Sequence, residues 1–388
     1  MTSCAPDLLK LTRDLLRCRS ITPEDAGAQD VLIHALETLG FEHWDVTRGD
    51  KSTNMIRNTF FRHGRQGPHL CFAGHTDVVP PGDESLWSFD PFSATVDNNI
   101  LYGRGSADMK ANVTAFIIAV KRFMQLFPDF KGSISLLITG DEEGEAVYGT
   151  APVLEWMKAN DHIPDFCLVG EPSNPERLGD AMKIGRRGSL TCKLVLKGRQ
   201  GHVAYPDKAD NPVPRMAELI SRLNEKPLDE GSKFFPPSSL QVSTVDVGNA
   251  ADNVIPGAVK ATFNVRYSDC WDMMGLRAYL EEIMNPFLNK GDEVKWRDSA
   301  RSFLTEPSAY TDMMAQSVND ITGRFPELKT DGGTSDARFI YHYCPVVEFG
   351  LVNKTIHQTD EHVPLEDLEN LTQIYTRFLE RFFKSATT

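Results

Sequence analysis

The chain has 388 residues, of which 41% are hydrophobic and 24% charged, which is typical of a soluble globular protein with two or three domains. Its formal net charge of −13 argues against a nucleic-acid-binding protein, because such proteins favour basic surfaces. No apolar stretch approaches the roughly 20 residues of a membrane span, and the N-terminus lacks a signal peptide's apolar block, so no membrane partner is expected.

The first part of the chain predicts alternating helices and buried strands. Leucines at positions 8, 11, 15 and 16 recur at helical spacing and predict an amphipathic first helix. The elements expected next are helices over residues 28–39 and 111–127, and buried strands over residues 70–74, 134–139 and 166–170. This alternation is typical of an α/β domain whose mostly parallel sheet is flanked by helices.

From Gly185 the pattern changes to half-exposed strands. The expected order is a strand at 189–196, a helix at 211–224, strands at 239–247 and 258–266, a helix at 273–289 and a strand at 293–297. This β-α-β-β-α-β order predicts a ferredoxin-like α+β unit. The first pattern then returns, with a strand at 345–349 and a terminal helix at 365–384. We therefore predict a domain of residues 184–297 inserted into a catalytic domain formed by residues 1–183 and 298–388.

Seven cysteines are dispersed along the chain, odd in number and never in a CxxC pair. This usage suits a reducing compartment and ordinary core thiols. We therefore expect a cytoplasmic protein.

Five side chains that could ligate a metal lie far apart in the sequence. His75, Glu143 and Glu171 follow predicted strands, and the carboxyl ends of parallel strands meet at one edge of a sheet. Asp108, in a Gly-rich approach to a helix, is either a helix N-cap or a carboxylate that bridges two ions about 3.5–4 Å apart. With His357 the set contains two imidazoles and three carboxylates. Such a set suits a pair of zinc ions, because a bridging hydroxide then makes the summed charge nearly zero.

Neighbouring residues suggest how such a site would be completed. Asp77, two positions after His75, is expected to accept a hydrogen bond from the second imidazole nitrogen and so fix the tautomer of a metal-bound ring. Three consecutive carboxylates at 141–143 repel one another unless a cation neutralises them, so that one acid can bind metal while its neighbour moves protons. His362 competes with His357 for the role of ligand.

Several segments resemble one known group of enzymes, the zinc aminoacylase and carboxypeptidase superfamily. They are Gly-His-Thr-Asp-Val-Val-Pro at 74–80, Gly-Ser-Ala-Asp-Met-Lys at 105–110 and Gly-Asp-Glu-Glu-Gly at 140–144, followed by 185–190, 201–206, 332–339 and the His357 segment. The motifs occur in the expected order over nearly the whole chain.

The resemblance implies two zinc ions per subunit, with cobalt as a possible substitute. The implied ligands are His75, Asp108 and Glu171 for one zinc, and Asp108, Glu143 and His357 for the other. The resemblance also implies that Glu142 is the general base and acid, that Asp77 supports the metal site, and that the peptide bond between Asp108 and Met109 is cis.

The activity implied is the hydrolysis of an amide, with N-succinyl-L,L-diaminopimelate and water giving succinate and L,L-diaminopimelate for lysine biosynthesis. The expected substrate contacts are Arg186, Tyr205, Asn253, Arg266 and Thr334. Asp252 departs from the neutral residue expected there, which favours Asn253 as the contact. Two alternatives remain open: a sibling deacylase such as an N-acetylornithine deacetylase, and a metal-free binding protein on the same scaffold.

The resemblance also implies a homodimer. His202, in the inserted domain, is similar to a histidine that reaches a neighbouring subunit's active site. We expect the dimer to form through that inserted domain, because a ferredoxin-like unit leaves an edge strand open for pairing.

Overall fold

A computed structural model describes residues 4–49 and 55–384 and divides the chain into two compact units. The larger unit consists of Met1–Ile184, Thr305–Lys329 and Ser335–Thr388, and the smaller unit of Gly185–Leu304 and Thr330–Thr334. The smaller unit therefore extends beyond the predicted boundary at residue 297. It does so because the two ends of the insertion pair with each other, Phe303 opposite Arg186 and Leu304 opposite Gly185.

Within the described residues the chain forms nine α-helices: α1 (Pro6–Leu16), α2 (Ala28–Glu37), α3 (Lys110–Leu126), α4 (Thr150–Ala159), α5 (Pro212–Leu223), α6 (Met273–Met284), α7 (Ala309–Thr322), α8 (Ala337–Ile340) and α9 (Leu365–Lys384). Helix α6 ends five residues before the predicted limit of 289, because Pro286 cannot donate an N–H to a helix interior and a 3₁₀ turn, Asn285–Phe287, follows instead. No described helix is long and apolar enough to cross a membrane.

The strands of the described residues are β1 (Glu42–Asp45), β2 (Thr59–His63), β3 (His69–His75), β4 (Thr95–Asp97), β5 (Ile100–Tyr102), β6 (Ser133–Thr139), β7 (Phe166–Val169), β8 (Ala181–Lys183), β9 (Gly185–Arg186), β10 (Gly188–Lys197), β11 (Gly201–His202), β12 (Ser239–Asp246), β13 (Val254–Ile255), β14 (Ala258–Tyr267), β15 (Glu293–Ala300), β16 (Phe303–Leu304), β17 (Glu327–Lys329), β18 (Val346–Glu348) and β19 (His362–Pro364).

The larger unit is built on an eight-stranded sheet in the order β1-β2-β6-β3-β7-β18-β8-β17. The four central strands β6, β3, β7 and β18 run parallel, whereas β2 is antiparallel to β6 and β8 to β18. Strands β3, β6 and β7 are buried along their whole length, as expected for a sheet covered on both faces. The predicted α/β class with a mostly parallel central sheet is confirmed.

The smaller unit is a four-stranded antiparallel sheet in the order β12-β14-β10-β15, with the helices α5 and α6. Alternate residues of β10 and β14 point into its core together with side chains of both helices: Leu190, Cys192, Leu194, Leu196, Val259, Ala261, Phe263, Val265, Met216, Leu219, Leu276 and Leu280. The strand order and the β-α-β-β-α-β sequence are those of a ferredoxin-like unit, as predicted.

Candidate metal centre

The strand order brings three chain segments to one edge of the larger unit's sheet. Strand β3 lies between β6 and β7 and runs parallel to both, so its carboxyl end is flanked by theirs. His75 is the last residue of β3, Glu143 follows the end of β6, and Glu171 follows the end of β7. The convergence expected from the sequence is therefore present in the fold.

Two glycines let the Asp108 loop approach these strand ends closely. A Cβ atom at Gly74 or at Gly170 would lie 2.7 Å from the Cε of Met109, a fully buried side chain. Met109 thus packs directly on the backbone of β3 and on that of the residue after β7, and Asp108 beside it is held over the sheet edge. The peptide bond between Asp108 and Met109 is cis, which confirms the expectation from the sequence.

His75, Asp108 and Glu171 form the first ligand group. The Nε2 atom of His75 lies 3.3 Å from Oδ1 of Asp108 and 3.7 Å from Oε1 of Glu171. All three residues are buried, and their ligand atoms lie within 4.8 Å of one another. A single cation can contact all three.

Asp108, Glu143 and His357 form the second group, in which the same aspartate presents its other oxygen. The Nε2 atom of His357 lies 3.3 Å from Oδ2 of Asp108 and 2.9 Å from Oε1 of Glu143. Asp108 therefore presents one carboxylate oxygen to each group, and the N-cap position of α3 is occupied by Met109 rather than by Asp108. His362, the competing candidate, lies in β19 with its ring 5.3 Å from that of Tyr102 and belongs to neither group.

Asp77 supports the site differently from the sequence expectation. Nδ1 of His75 donates to the main-chain carbonyl of Asp77 at 2.9 Å, whereas the nearer carboxylate oxygen lies 3.6 Å away. The predicted side-chain acceptor was therefore wrong, although Nε2 of His75 is still left free for a metal. The Asp77 carboxylate instead accepts the main-chain N–H groups of Glu142 and Glu143, at 3.3 and 3.0 Å, and so orients the segment that carries both acids.

Unpaired polar atoms show that the site fits a metal pair. Nε2 of His75 and Oδ1 of Asp108 are buried and have no hydrogen-bond partner among the described residues. Burial raises the pKa of Glu171 and of Glu142 well above the ordinary value, and neighbouring carboxylates add to the rise. Bound cations would pair the buried atoms and offset this repulsion.

The comparisons with known proteins agree with this geometry. Residues 71–381 match the model of peptidase family M20/M25/M40. The chain belongs to this family. It is 53% identical over 381 residues to the succinyl-diaminopimelate desuccinylase of Gluconacetobacter diazotrophicus, covering 98% of each chain. It is 50% identical over 382 residues to the protein of the same name from Rhodospirillum centenum, covering 98% of this chain and 99% of the relative.

Solved structures of M20 enzymes share the fold at low sequence identity. An M20 metallo-carboxypeptidase from Sulfolobus solfataricus has a TM-score of 0.77 at 17% identity, covering 98% of this chain and 99% of that one. The YXEP protein of Bacillus subtilis, described as a dinuclear metal-binding peptidase of the M20 family, has a TM-score of 0.70 at 16% identity, covering 96% of both chains. Proteins of this family are metal-dependent, and the two ligand groups of this M20 chain are the candidates for that role.

The carboxylates around His75 and His357 favour the protonated form of both imidazoles when no metal is bound. The hydrogen bonds to Asp108 and Glu143 raise the pKa of His357 to about 10. Burial lowers the pKa of His75, but the carboxylates close to its ring, that of Asp108 first among them, outweigh this effect, and the net pKa lies well above the ordinary value. These shifts favour the protonated form of both imidazoles at pH 7, whereas a ring that binds metal through nitrogen must be neutral.

Loading the metal-free protein with zinc at pH 7 should therefore release protons, and the affinity for metal should weaken as the pH falls. The measurement is calorimetric titration with zinc in two buffers whose enthalpies of protonation differ. The apparent binding enthalpy should differ between the buffers in proportion to the protons released. Equal enthalpies would contradict protonated imidazoles in the metal-free site.

The five predicted substrate contacts all lie in the smaller unit, and their surroundings differ. Arg186 is buried and its Nη1 donates to the carbonyls of Asp331 and Gly333, at 3.4 and 3.3 Å, so it holds the loop that carries Thr334. Tyr205 and Asn253 are exposed. Arg266 is half-buried and its Nη1 has no hydrogen-bond partner among the described residues.

The structure also places residues at the site that sequence reasoning missed. Glu361 is fully buried beneath the Asp108 loop. Asn112 donates to the carbonyl of Ala107 and accepts from the N–H of Leu351, both at 2.7 Å. Asp336 is buried and accepts from the hydroxyl of Thr150 at 2.6 Å. Each of these residues makes at least one contact that is distant in sequence, and a single sequence carries no local signal for it.

Proposed function

We propose that this protein is a dinuclear-metal succinyl-diaminopimelate desuccinylase, which converts N-succinyl-L,L-diaminopimelate and water to succinate and L,L-diaminopimelate in the cytoplasm. The observation that carries the proposal is the 53% identity over 98% of the chain with a relative of that name. The complete double ligand set supports it, and the seven free cysteines agree with a reducing compartment.

The metals proposed are two zinc ions, for which cobalt can substitute. The ligands are imidazole nitrogens and carboxylate oxygens, with His75 and Glu171 on one side of Asp108 and Glu143 and His357 on the other. Bound metals of this kind lower the pKa of a water molecule and polarise the carbonyl of the scissile amide.

Glu142 is the proposed proton carrier. It lies in the loop that follows β6, its main-chain N–H donates to the Asp77 carboxylate, and burial raises the pKa of its carboxyl well above the ordinary value. A carboxylate with a raised pKa can take the proton of the attacking water and return it to the leaving amine. Because His357 contacts Glu143 at 2.9 Å, Glu143 is the ligand of the two adjacent acids in this proposal.

Guanidinium groups are proposed to bind the carboxylates of the substrate. Burial lowers the pKa of Arg266, and the nearby charge of Arg187 lowers it further. Two guanidiniums that repel each other gain from an anion between them, and a planar fork suits a carboxylate. Tyr205, Asn253 and Thr334 are the proposed polar contacts, and Arg186 supports the loop that ends at Thr334.

His202 is the proposed hydrogen-bond donor to the oxyanion that forms at the carbonyl. The main-chain N–H of Ala204 donates to its Nδ1 at 3.1 Å, so the neutral ring carries its hydrogen on the exposed side, at Nε2. In the proposed homodimer, built through the smaller unit, His202 serves the active site of the partner subunit.

A test with three substrates separates the alternatives. The zinc-loaded protein is offered N-succinyl-L,L-diaminopimelate, N-acetyl-L,L-diaminopimelate and N-acetylornithine under the same conditions. We expect kcat/KM for the succinyl compound to exceed the other two by about 10⁴-fold, because a site built to pair a charged group rejects analogues that lack it. The second substrate isolates the effect of the acyl carboxylate from that of the amine.

Two results would contradict this proposal. Faster hydrolysis of N-acetylornithine would favour the sibling deacylase. Tight binding of the succinyl compound without hydrolysis, at any metal loading, would favour the binding protein. Arg266→Gln provides a matched check, since it should reduce the preference for succinyl over acetyl while leaving the metal content unchanged.

A further inference from the structure

Glu361 is an unusual acid because it lies in the interior of the larger unit with no exposed surface, yet it belongs to neither ligand group. Its Oε1 accepts the main-chain N–H groups of Ala107 and Asp108, at 2.8 and 3.1 Å. Its Oε2 accepts the N–H of Gly105 at 3.1 Å and Nη1 of Arg104 at 2.7 Å. All four acceptor positions of the carboxylate are thus occupied by a single loop.

The main chain of Glu361 is tied to the same loop. Its carbonyl accepts the N–H of Gly103 at 2.9 Å, and the next residue, His362, pairs with Tyr102 in the β19–β5 ladder. Glu361 is also four positions after His357, in a segment where His357 itself has a positive φ of 60°. Two loops that supply a ligand each are therefore joined through one side chain.

We infer that Glu361 is a positioning residue of the metal centre, which sets the spacing between the bridging carboxylate of Asp108 and the imidazole of His357. This inference rests on the two-metal centre of the proposed function. Nε2 of His357 and Oδ2 of Asp108 lie 3.3 Å apart, although the loops that carry them are distant from each other in the sequence. The buried hydrogen bonds to Glu361 hold both loops before a metal arrives, so that less ordering remains to be done on binding.

Two substitutions test this role, one by removing the charge of Glu361 and the other by shortening its side chain. Glu361→Gln keeps the size of the side chain but replaces one carboxylate oxygen by an NH₂ group, which donates hydrogen bonds and cannot accept them. Whichever oxygen is replaced, two of the four donors of the loop lose their acceptor. Glu361→Asp keeps the charge but is one methylene shorter, so the carboxylate cannot reach all four donors. Both changes release the Asp108 loop relative to His357.

Glu369→Gln is the matched control. Glu369 is also a buried carboxylate, accepting Nη1 and Nη2 of Arg122 at 2.7 and 3.0 Å and the N–H of Ala5 at 3.1 Å. It joins α9 to α3 and to the start of α1 and contacts no candidate ligand. Its loss should lower the thermal stability while leaving the metal centre unchanged.

The experiment uses the full-length protein loaded with manganese. Chelator competition measures the two stepwise Mn²⁺ affinities, and electron paramagnetic resonance measures the magnetic coupling between the two ions, which depends on the bridging carboxylate. We expect Glu361→Gln to weaken the more loosely held ion by about 10–100-fold, as is usual for residues that orient ligands, and to alter the coupling. Glu361→Asp, measured in the same way, should show the same effects and replaces the glutamine variant if that does not fold.

The outcomes separate this inference from the proposed function. If both Glu361 variants lower only the melting temperature, as Glu369→Gln does, and keep the wild-type affinities and coupling, Glu361 has no positioning role. If the unmodified protein binds fewer than two Mn²⁺ ions or shows no coupling, the two-metal centre itself is wrong and this inference falls with it.

Discussion

The Glu142→Gln protein should bind two metals with unchanged affinity and lose nearly all turnover, with kcat lower by at least about 10²–10⁴-fold, the usual contribution of general acid–base catalysis. A glutamine keeps the shape of the side chain and the main-chain hydrogen bond to Asp77, but it cannot accept a proton at neutral pH. Metal analysis after gel filtration gives the stoichiometry, and steady-state hydrolysis of the succinyl substrate gives kcat.

Glu143→Gln should show the opposite result: weaker binding of one metal ion, with a loss of activity that follows from that weaker binding. The side chain of Glu143 contacts Nε2 of His357 at 2.9 Å in the second ligand group, so its loss removes negative charge from one metal position only. We expect one ion to bind at least about tenfold more weakly, since the loss of supporting residues alone commonly has such an effect. Activity should then recover in part at high metal concentration, whereas that of Glu142→Gln should not.

Glu145→Gln controls for the charge of the loop. Glu145 is exposed, lies two residues from Glu143 and belongs to neither ligand group, so this change should leave both metal affinity and kcat unaltered. The comparison of Glu142→Gln with Glu143→Gln is informative because Glu142 also lies close enough to bind a metal, in a further possible ligand group with His75 and Glu143. Loss of a metal in Glu142→Gln, with both retained in Glu143→Gln, would reverse the assigned roles.

The fold could be predicted from the sequence to the extent that local pattern encodes it. The apolar runs of β3, β6 and β7 and the helical spacing of α3 and α9 are local, and the structure confirms them. Strand direction is not local: nothing in the Thr-Phe-Phe-Arg-His sequence of β2 distinguishes an antiparallel from a parallel neighbour, and the mixed sheet follows from tertiary packing. The same holds for the residues 330–334, which join the smaller unit through contacts such as the N–H of Arg187 with the carbonyl of Thr330.

The residues of the candidate site likewise separate into those that local sequence predicts and those that it does not. Residues at strand ends, such as His75 and Glu171, are predictable because parallel strands bring their carboxyl ends to one edge. His357 was a candidate from the residues alone, but its choice over His362 came from the resemblance, since a lone histidine in a loop has no periodic signal. Glu361 was missed for a related reason: its four donors come from residues about 250 positions away, so only a three-dimensional structure brings them together.

The last prediction concerns His202 and the proposed homodimer. His202→Ala and Glu142→Gln should each be nearly inactive as pure proteins, because one lacks the oxyanion donor and the other the proton carrier. If His202 serves the partner subunit, dissociating and mixing the two variants should restore activity. In the heterodimer, one site combines the intact Glu142 of one chain with the intact His202 of the other, and the second site lacks both. Random reassociation of equal amounts should then give about one quarter of the wild-type activity, since about half of the dimers are mixed and each has one working site of two.

A second mixture makes the test decisive, because its heterodimer should be inactive if His202 acts across the dimer and active if it does not. Wild-type protein is mixed with the double variant that carries both His202→Ala and Glu142→Gln. If the histidine acts across the dimer, both sites of this heterodimer are dead, because the wild-type chain receives alanine from its partner and the double-variant chain has no Glu142. If the histidine acts within its own chain, the wild-type site keeps working and the first mixture stays inactive. Separately tagged chains, purified as heterodimers through both tags, allow either assignment to be read directly from the activity per dimer, and a fully active monomer would exclude the role across the interface.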